Sequence, residues 1–153
     1  MDDKSSSARS RNMSRIHSRD TKPEIIVRKI LFSLGYRFRL HRRDLPGVPD
    51  IVMPGRKIVI FVHGCFWHSH AGCRRAVTPK SRDSYWVPKL LRNAERDIKV
   101  RNELLAMGWR VLWIWECSLS TKAGRERLPD LLNAWIQSSD NFSEIPQKSQ
   151  ELI

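Results

Sequence analysis

The residues best suited to chemistry fall in two groups. Cys65, His70 and Cys73 lie within nine positions of one another, and Cys117 follows much later. Three thiolates and one imidazole make a closed Cys3His tetrahedron, the usual arrangement of a structural zinc ion. His68 is also within reach of Cys65 and Cys73. His70 is preferred because it is nearer Cys73 and leaves His68 free. Such a site has no open coordination position, so its metal would brace the fold and not react. The second group is Asp50, His63 and His68. Asp50 opens an apolar segment, where an acid costs stability unless a cation or another partner satisfies it. Its carboxylate, a backbone carbonyl near Val62, and waters or phosphate oxygens would suit a hard divalent ion. The alternative is a turn acceptor or a surface ion pair. His63 and His68 are candidates for proton transfer and for stabilising a crowded phosphate, or else ordinary structural histidines.

The aromatics next to these residues suggest a ligand. Phe66 and Trp67 precede His68, and Trp86 lies beyond a loop carrying Arg74, Arg75, Lys80 and Arg82. Aromatics beside basic residues can stack on bases or wedge between them. The composition agrees. Among 153 residues, 28 Lys and Arg stand against 16 Asp and Glu, a formal charge of +12. A chain so basic is drawn to polyanions, nucleic acid first. No apolar run approaches a membrane span, and Met1–Arg15 lacks an apolar signal core, so a reducing, cytoplasmic setting without membrane partners is expected. There, three cysteines near histidines suggest metal before disulfide.

These side chains need a scaffold. Thr21, Pro23 and Glu24 form a capping-box start for a helix over Lys22–Leu34, with an apolar stripe of Ile26, Val27, Ile30, Leu31 and Leu34 and Gly35 as the stop. Alternation predicts a strand at Tyr36–Leu40. Asp50–Met53 and Lys57–Val62, separated by Pro54-Gly55-Arg56, predict an antiparallel hairpin. A long amphipathic helix is expected over Val87–Met107, ended by Gly108. A strand follows at Trp109–Trp115, with Trp109, Val111, Trp113 and Trp115 facing the core, and then a helix over 126–137. Residues 1–13 read as a mobile basic arm, 14–138 as one domain, and 139–153 as a frayed polar tail. The fold class is α/β: a single domain with a mixed central sheet flanked by helices.

Three strings now coincide: Asp50-Ile-Val-Met53, Val59-Ile-Phe-Val-His-Gly-Cys-Phe-Trp-His68, and Gly108-Trp-Arg-Val-Leu-Trp-Ile-Trp-Glu-Cys117. Together with Arg11–Ile16, Ser18–Thr21 and Asn93-Ala-Glu-Arg-Asp97, the chain resembles the very short patch repair (Vsr) DNA mismatch endonucleases over roughly residues 8–120. The resemblance implies a fold like the type II restriction-endonuclease core. It implies nicking of one strand of double-stranded DNA on the 5′ side of the thymine in T:G mismatches, which arise from deaminated 5-methylcytosine. It implies magnesium on Asp50 and the Val62 carbonyl, His68 as general base, His63 assisting at the phosphate, and Glu24 supporting them. It implies zinc on Cys65, His70, Cys73 and Cys117. Phe66, Trp67 and Trp86 would enter the DNA stack, Met13 would approach from the other groove, and Lys89 and Asn93 would contact the mismatch region. The enzyme would be a bacterial monomer acting on the nucleoid, with other repair proteins as further partners.

The chain departs from that family's pattern in places. Val62 stands where relatives carry threonine, and one extra residue separates His70 from Cys73. The second acid and the lysine common in nuclease hairpins are absent, with Val62 and Gly64 at those positions. Glu24 is also the residue that a capping box needs, so its two roles overlap.

Overall fold

The structure, a computed structural model, describes residues 20–76 and 83–147. The expected arm at 1–13 with Met13, and Lys80 and Arg82, lie outside the described residues.

Helix α1 spans Lys22–Ser33, one residue short of the predicted end. Thr21 caps it by accepting from the Glu24 N–H, and Pro23 fits the first turn, where its missing N–H costs nothing. Gly35, at φ +91°, closes the helix, with the Tyr36 N–H reaching the Leu31 carbonyl and the Gly35 N–H the Phe32 carbonyl. Only Arg39–Leu40 of the predicted first strand forms β1. Its partner β2 is just Ile51–Met53 before Pro54 ends the ladder, so two residues of β1 find register, Arg39 on Val52 and Leu40 on Ile51. Tyr36 is instead drawn inward, where its hydroxyl bonds Asn133 and Gln137.

A short turn at Pro54–Arg56, closed by Lys57 in the left-handed region, leads into β3, Ile58–His63. β2 and β3 form the expected antiparallel hairpin. Helix α2, Asp83–Ala106, starts earlier than predicted and carries Pro88 inside. Strand β4, Arg110–Trp115, returns parallel to β3, pairing His63 with Trp115 at its end. Helix α3 spans Lys122–Gln137, and its cap at Thr121 accepts from Gly124 N–H. The expected frayed tail holds a fifth strand. β5, Phe142–Ile145, lies parallel to β4. Phe142 packs edge-on against Trp113, Glu144 accepts from the Trp115 indole at 2.7 Å, and Ile145 is buried. Two apolar residues thus fix a segment whose composition reads as solvent-exposed.

The sheet order is β1-β2-β3-β4-β5. Strand alternation divides the core into two layers. Ile58, Ile60, Leu112 and Ile114 join Val27 and Leu31 of α1 and Leu128, Leu132 and Trp135 of α3. Val59, Phe61, Val111, Trp113 and Trp115 join Leu104 of α2 and Cys65 on the opposite face. The mixed sheet with helices on both faces matches the expected class. Among the described residues, no helix is long and apolar enough to cross a membrane.

Candidate active site and metal cluster

The hairpin places Asp50 just before β2 and His63 at the end of β3, so both open on the same end of the sheet. There a cleft of about 820 Å³ is lined by Glu24 of α1, His41, Asp50, Val62, His63, His68 and Asp97 of α2. The structure therefore brings together the four predicted groups Glu24, Asp50, His63 and His68. One Asp50 oxygen accepts from the Val62 N–H at 2.7 Å. Burial, followed by the neighbouring charge of Glu24, pushes the Asp50 carboxyl up to about 7. Two buried carboxylates side by side are a poor arrangement for a metal-free protein and a good one for a hard cation.

His63 is 4% exposed. Its ring lies between Trp113 and Trp115, each at 5.1 Å, and stacks flat on His68 at 4.0 Å and 4°. Burial, then His68 and His70, holds its pKa well below the ordinary imidazole value, so it is neutral. Its Nδ1 is buried and has no hydrogen-bond partner in the structure. His68 differs. Its Nδ1 lies 2.6 Å from Asp97 Oδ2. A carboxylate only accepts, so Nδ1 carries the proton and Nε2 is left as the basic atom. Asp97 ends the Asn93–Asp97 string of the resemblance but has no role in the sequence analysis, because its contact with His68 spans 29 residues and is made only in the fold. His63, His68 and Asp97 also lie close enough to share an ion. The direct His68–Asp97 hydrogen bond accounts for that closeness without one.

Behind this turn the four predicted zinc ligands converge. One ligand atom from each of Cys65, His70, Cys73 and Cys117 lies within 4.8 Å of the others, and Cys117 Sγ is 3.5 Å from His70 Nδ1. The edge of a zinc tetrahedron with bonds of about 2.0–2.3 Å is roughly 3.5–3.8 Å, so the donors fit. Burial pushes the Cys65 and Cys117 thiols up from their ordinary values, so a dication is what would keep them ionised. His70, not His68, faces the sulfurs. It stacks on Trp115 at 4.1 Å, and Glu144 of β5 holds that indole. Cys65 lies between His63 and His68 in the chain, and its N–H donates to Glu116 Oε1 at 3.2 Å. The cluster and the imidazoles thus share one tight turn.

Phe66, Trp67 and Trp86 meet edge-to-face at 5.0–5.5 Å, and Tyr85 adds to Trp86 at 4.9 Å. Asn93 Nδ2 donates to the Trp67 carbonyl at 3.0 Å, and Lys89 Nζ lies 4.5 Å over the Tyr85 ring. The predicted aromatics and the two polar residues of α2 therefore form one half-exposed ridge beside the cleft.

A carboxylate pair opposite an oriented imidazole contains the parts that metal-assisted hydrolysis uses. Comparison with known proteins gives the family. The model for DNA mismatch endonuclease Vsr matches residues 1–75. The type II nicking enzyme V.XorIIP of Xanthomonas oryzae is 53% identical over 79% of this chain and 89% of its own length. The type II nicking enzyme V.NmeAIP of Neisseria meningitidis is 47% identical over 82% and 90%. DNA mismatch endonuclease Vsr of Escherichia coli is 39% identical over 95% and 94%. The chain belongs to the Vsr family of DNA endonucleases.

Proposed function

We propose that this protein nicks one strand of duplex DNA on the 5′ side of the thymine in T:G mismatches left by deaminated 5-methylcytosine. The observation that carries the proposal is the His68–Asp97 dyad facing the Asp50–Glu24 carboxylates across one cleft, next to an aromatic ridge. Magnesium held by Asp50 and the Val62 carbonyl would polarise the scissile phosphate and acidify a bound water. Val62 serves through its backbone, so its apolar side chain is no obstacle. His68 Nε2 takes a proton from the attacking water, and Asp97 stabilises the imidazolium that results. Neutral His63, packed flat on His68, assists at the phosphate and keeps the base in place. Phe66, Trp67 and Trp86 enter the stack where a mismatched pair is already weak, so opening costs less there than at a matched pair. Lys89 and Asn93 meet the mismatch, Met13 approaches from the other groove, and zinc in the Cys3His cluster braces the turn. We read the acid-bearing hairpin followed by the α2 crossover into parallel β4 as a restriction-endonuclease-like core, acting as a monomer in the bacterial cytoplasm.

The test is a nicking assay on one duplex carrying T:G, C:G or T:A at a single position, with and without magnesium. Magnesium-dependent nicking of T:G alone is expected, and equal rates on all three would refute the repair reading. Asp97→Asn provides a second check. With the tautomer no longer fixed, the nicking rate should fall about 10²- to 10⁴-fold while T:G duplex affinity in chelator is unchanged.

A further inference from the structure

The lysine and second acid common in nuclease hairpins are missing at Val62 and Gly64, yet the cleft still presents two carboxylates. Something must hold them together. Glu24 is 3% exposed, and its Oε2 receives three contacts: the Asp20 N–H at 2.9 Å, Arg28 Nη2 at 3.1 Å and His41 Nε2 at 3.3 Å. Since a carboxylate can only accept, the His41 ring donates through Nε2. Arg28 also bridges to Asp20 at 2.7 Å. The guanidinium thus already spans the Asp20–Glu24–His41 group, the third place where donors cluster.

His41 is built in from both sides. Its backbone N–H donates to the Asp50 carbonyl at 3.3 Å, directly beyond the last β1–β2 pair. Its backbone is left-handed, φ +47°, a conformation uncommon outside glycine and maintained only where surroundings over-determine it. The side chain is 9% exposed and lines the cleft. One residue therefore touches the main chain of one acid and the side chain of the other.

The geometry points to His41, with Arg28, as a positioning residue that locks Glu24 beside Asp50 to complete the divalent-cation site, in place of the absent hairpin lysine. This inference rests on the proposed nuclease reading and adds the residues that make its two acids one site. Arg28 supplies the positive charge along α1. His41 supplies a directional donor and ties it to the strand end that carries Asp50. Supports of this kind around ligating carboxylates typically change metal affinity about 10- to 100-fold.

The test uses the zinc-replete full chain and Mn2+ as the probe, with binding to the free protein followed by electron paramagnetic resonance. His41→Leu should weaken Mn2+ binding about 10- to 100-fold. It should raise the magnesium needed for half-maximal nicking by a similar factor, leaving T:G duplex affinity in chelator unchanged. His41→Gln keeps a side-chain N–H donor and should recover most of both. Parental Mn2+ binding by His41→Leu, or equal impairment in both variants, would overturn the assignment. If the parent binds Mn2+ but does not nick T:G duplexes, the proposed activity fails while the Mn2+ comparison still decides the role of His41.

Discussion

Asp50→Asn should abolish nicking and at the same time stabilise the metal-free protein above neutral pH. The two effects have one cause. The Asp50 carboxyl is held at about 7, against 3.8 for an ordinary aspartate, first by burial and then by the charge of Glu24. Between those values the folded protein keeps a proton that the unfolded chain has released. Stability from this group is therefore complete below pH 3.8 and is lost as pH rises towards about 7. Asparagine has nearly the same shape, can still accept from the Val62 N–H, and never ionises. Its variant should not show that loss, and its thermal midpoint in chelator at pH 8 should exceed the parent's. Activity moves the other way. Losing the anionic ligand removes several kcal/mol of charge stabilisation, a rate loss of about 10³-fold or more. Magnesium should raise the parent's midpoint at pH 8 and leave the variant's unchanged. Parental nicking by Asp50→Asn would exclude the metal mechanism. A lower midpoint for the variant at pH 8 would mean that the Asp50 charge is already compensated in the free protein.

What could be read from the sequence depended on how local the cause was. The convergence of Cys65, His70, Cys73 and Cys117 was legible because three cysteines and a histidine leave few other ways to satisfy a closed site. The buried face of β4 was legible because Trp109, Val111, Trp113 and Trp115 alternate without interruption. The Asp50 hairpin followed from two apolar runs separated by a proline-glycine turn. Asp97 was not legible as part of a dyad, because its contact with His68 is made only when α2 folds over the turn. Nor was His41, whose placement depends on a left-handed residue beyond a two-residue strand. β5 failed for another reason: its stabilising contacts, Phe142 on Trp113 and Glu144 on Trp115, belong to a distant strand, and four residues carry too little periodicity. Both long helices contain a proline, Pro88 and Pro129, and both begin about one turn earlier than the apolar periodicity predicts.

Removing zinc should cost catalysis and also stability at pH 6 and pH 8 alike, whereas the stabilising effect of magnesium is confined to pH above the Asp50 value of about 7. Cys117 enters the cluster from the turn after β4, whereas Cys65, His70 and Cys73 come from the irregular segment after β3. The ion would therefore clip a segment with little secondary structure to the central sheet. Structural zinc supplies on the order of 10 kcal/mol in peptides that have no other core. Here the sheet has its own core, and about 3–5 kcal/mol is the expected loss for Cys117→Ser. At about 2–4 °C per kcal/mol for a domain of this size, the midpoint should fall roughly 6–20 °C. The catalytic loss follows from the chain path. Cys65 lies between His63 and His68, so freeing it relaxes the turn that holds His68 against Asp97, and the rate should fall even at temperatures where the sheet remains folded. A chelator that strips magnesium alone should stop nicking reversibly and lower the midpoint at pH 8, whereas at pH 6, where Asp50 keeps its proton and holds magnesium weakly, the midpoint should not change. A purified protein that contains no zinc and melts where the zinc-loaded protein melts would refute the Cys3His assignment. A zinc-free protein that melts lower yet nicks at the parental rate would show that the turn holds its histidines without the ion.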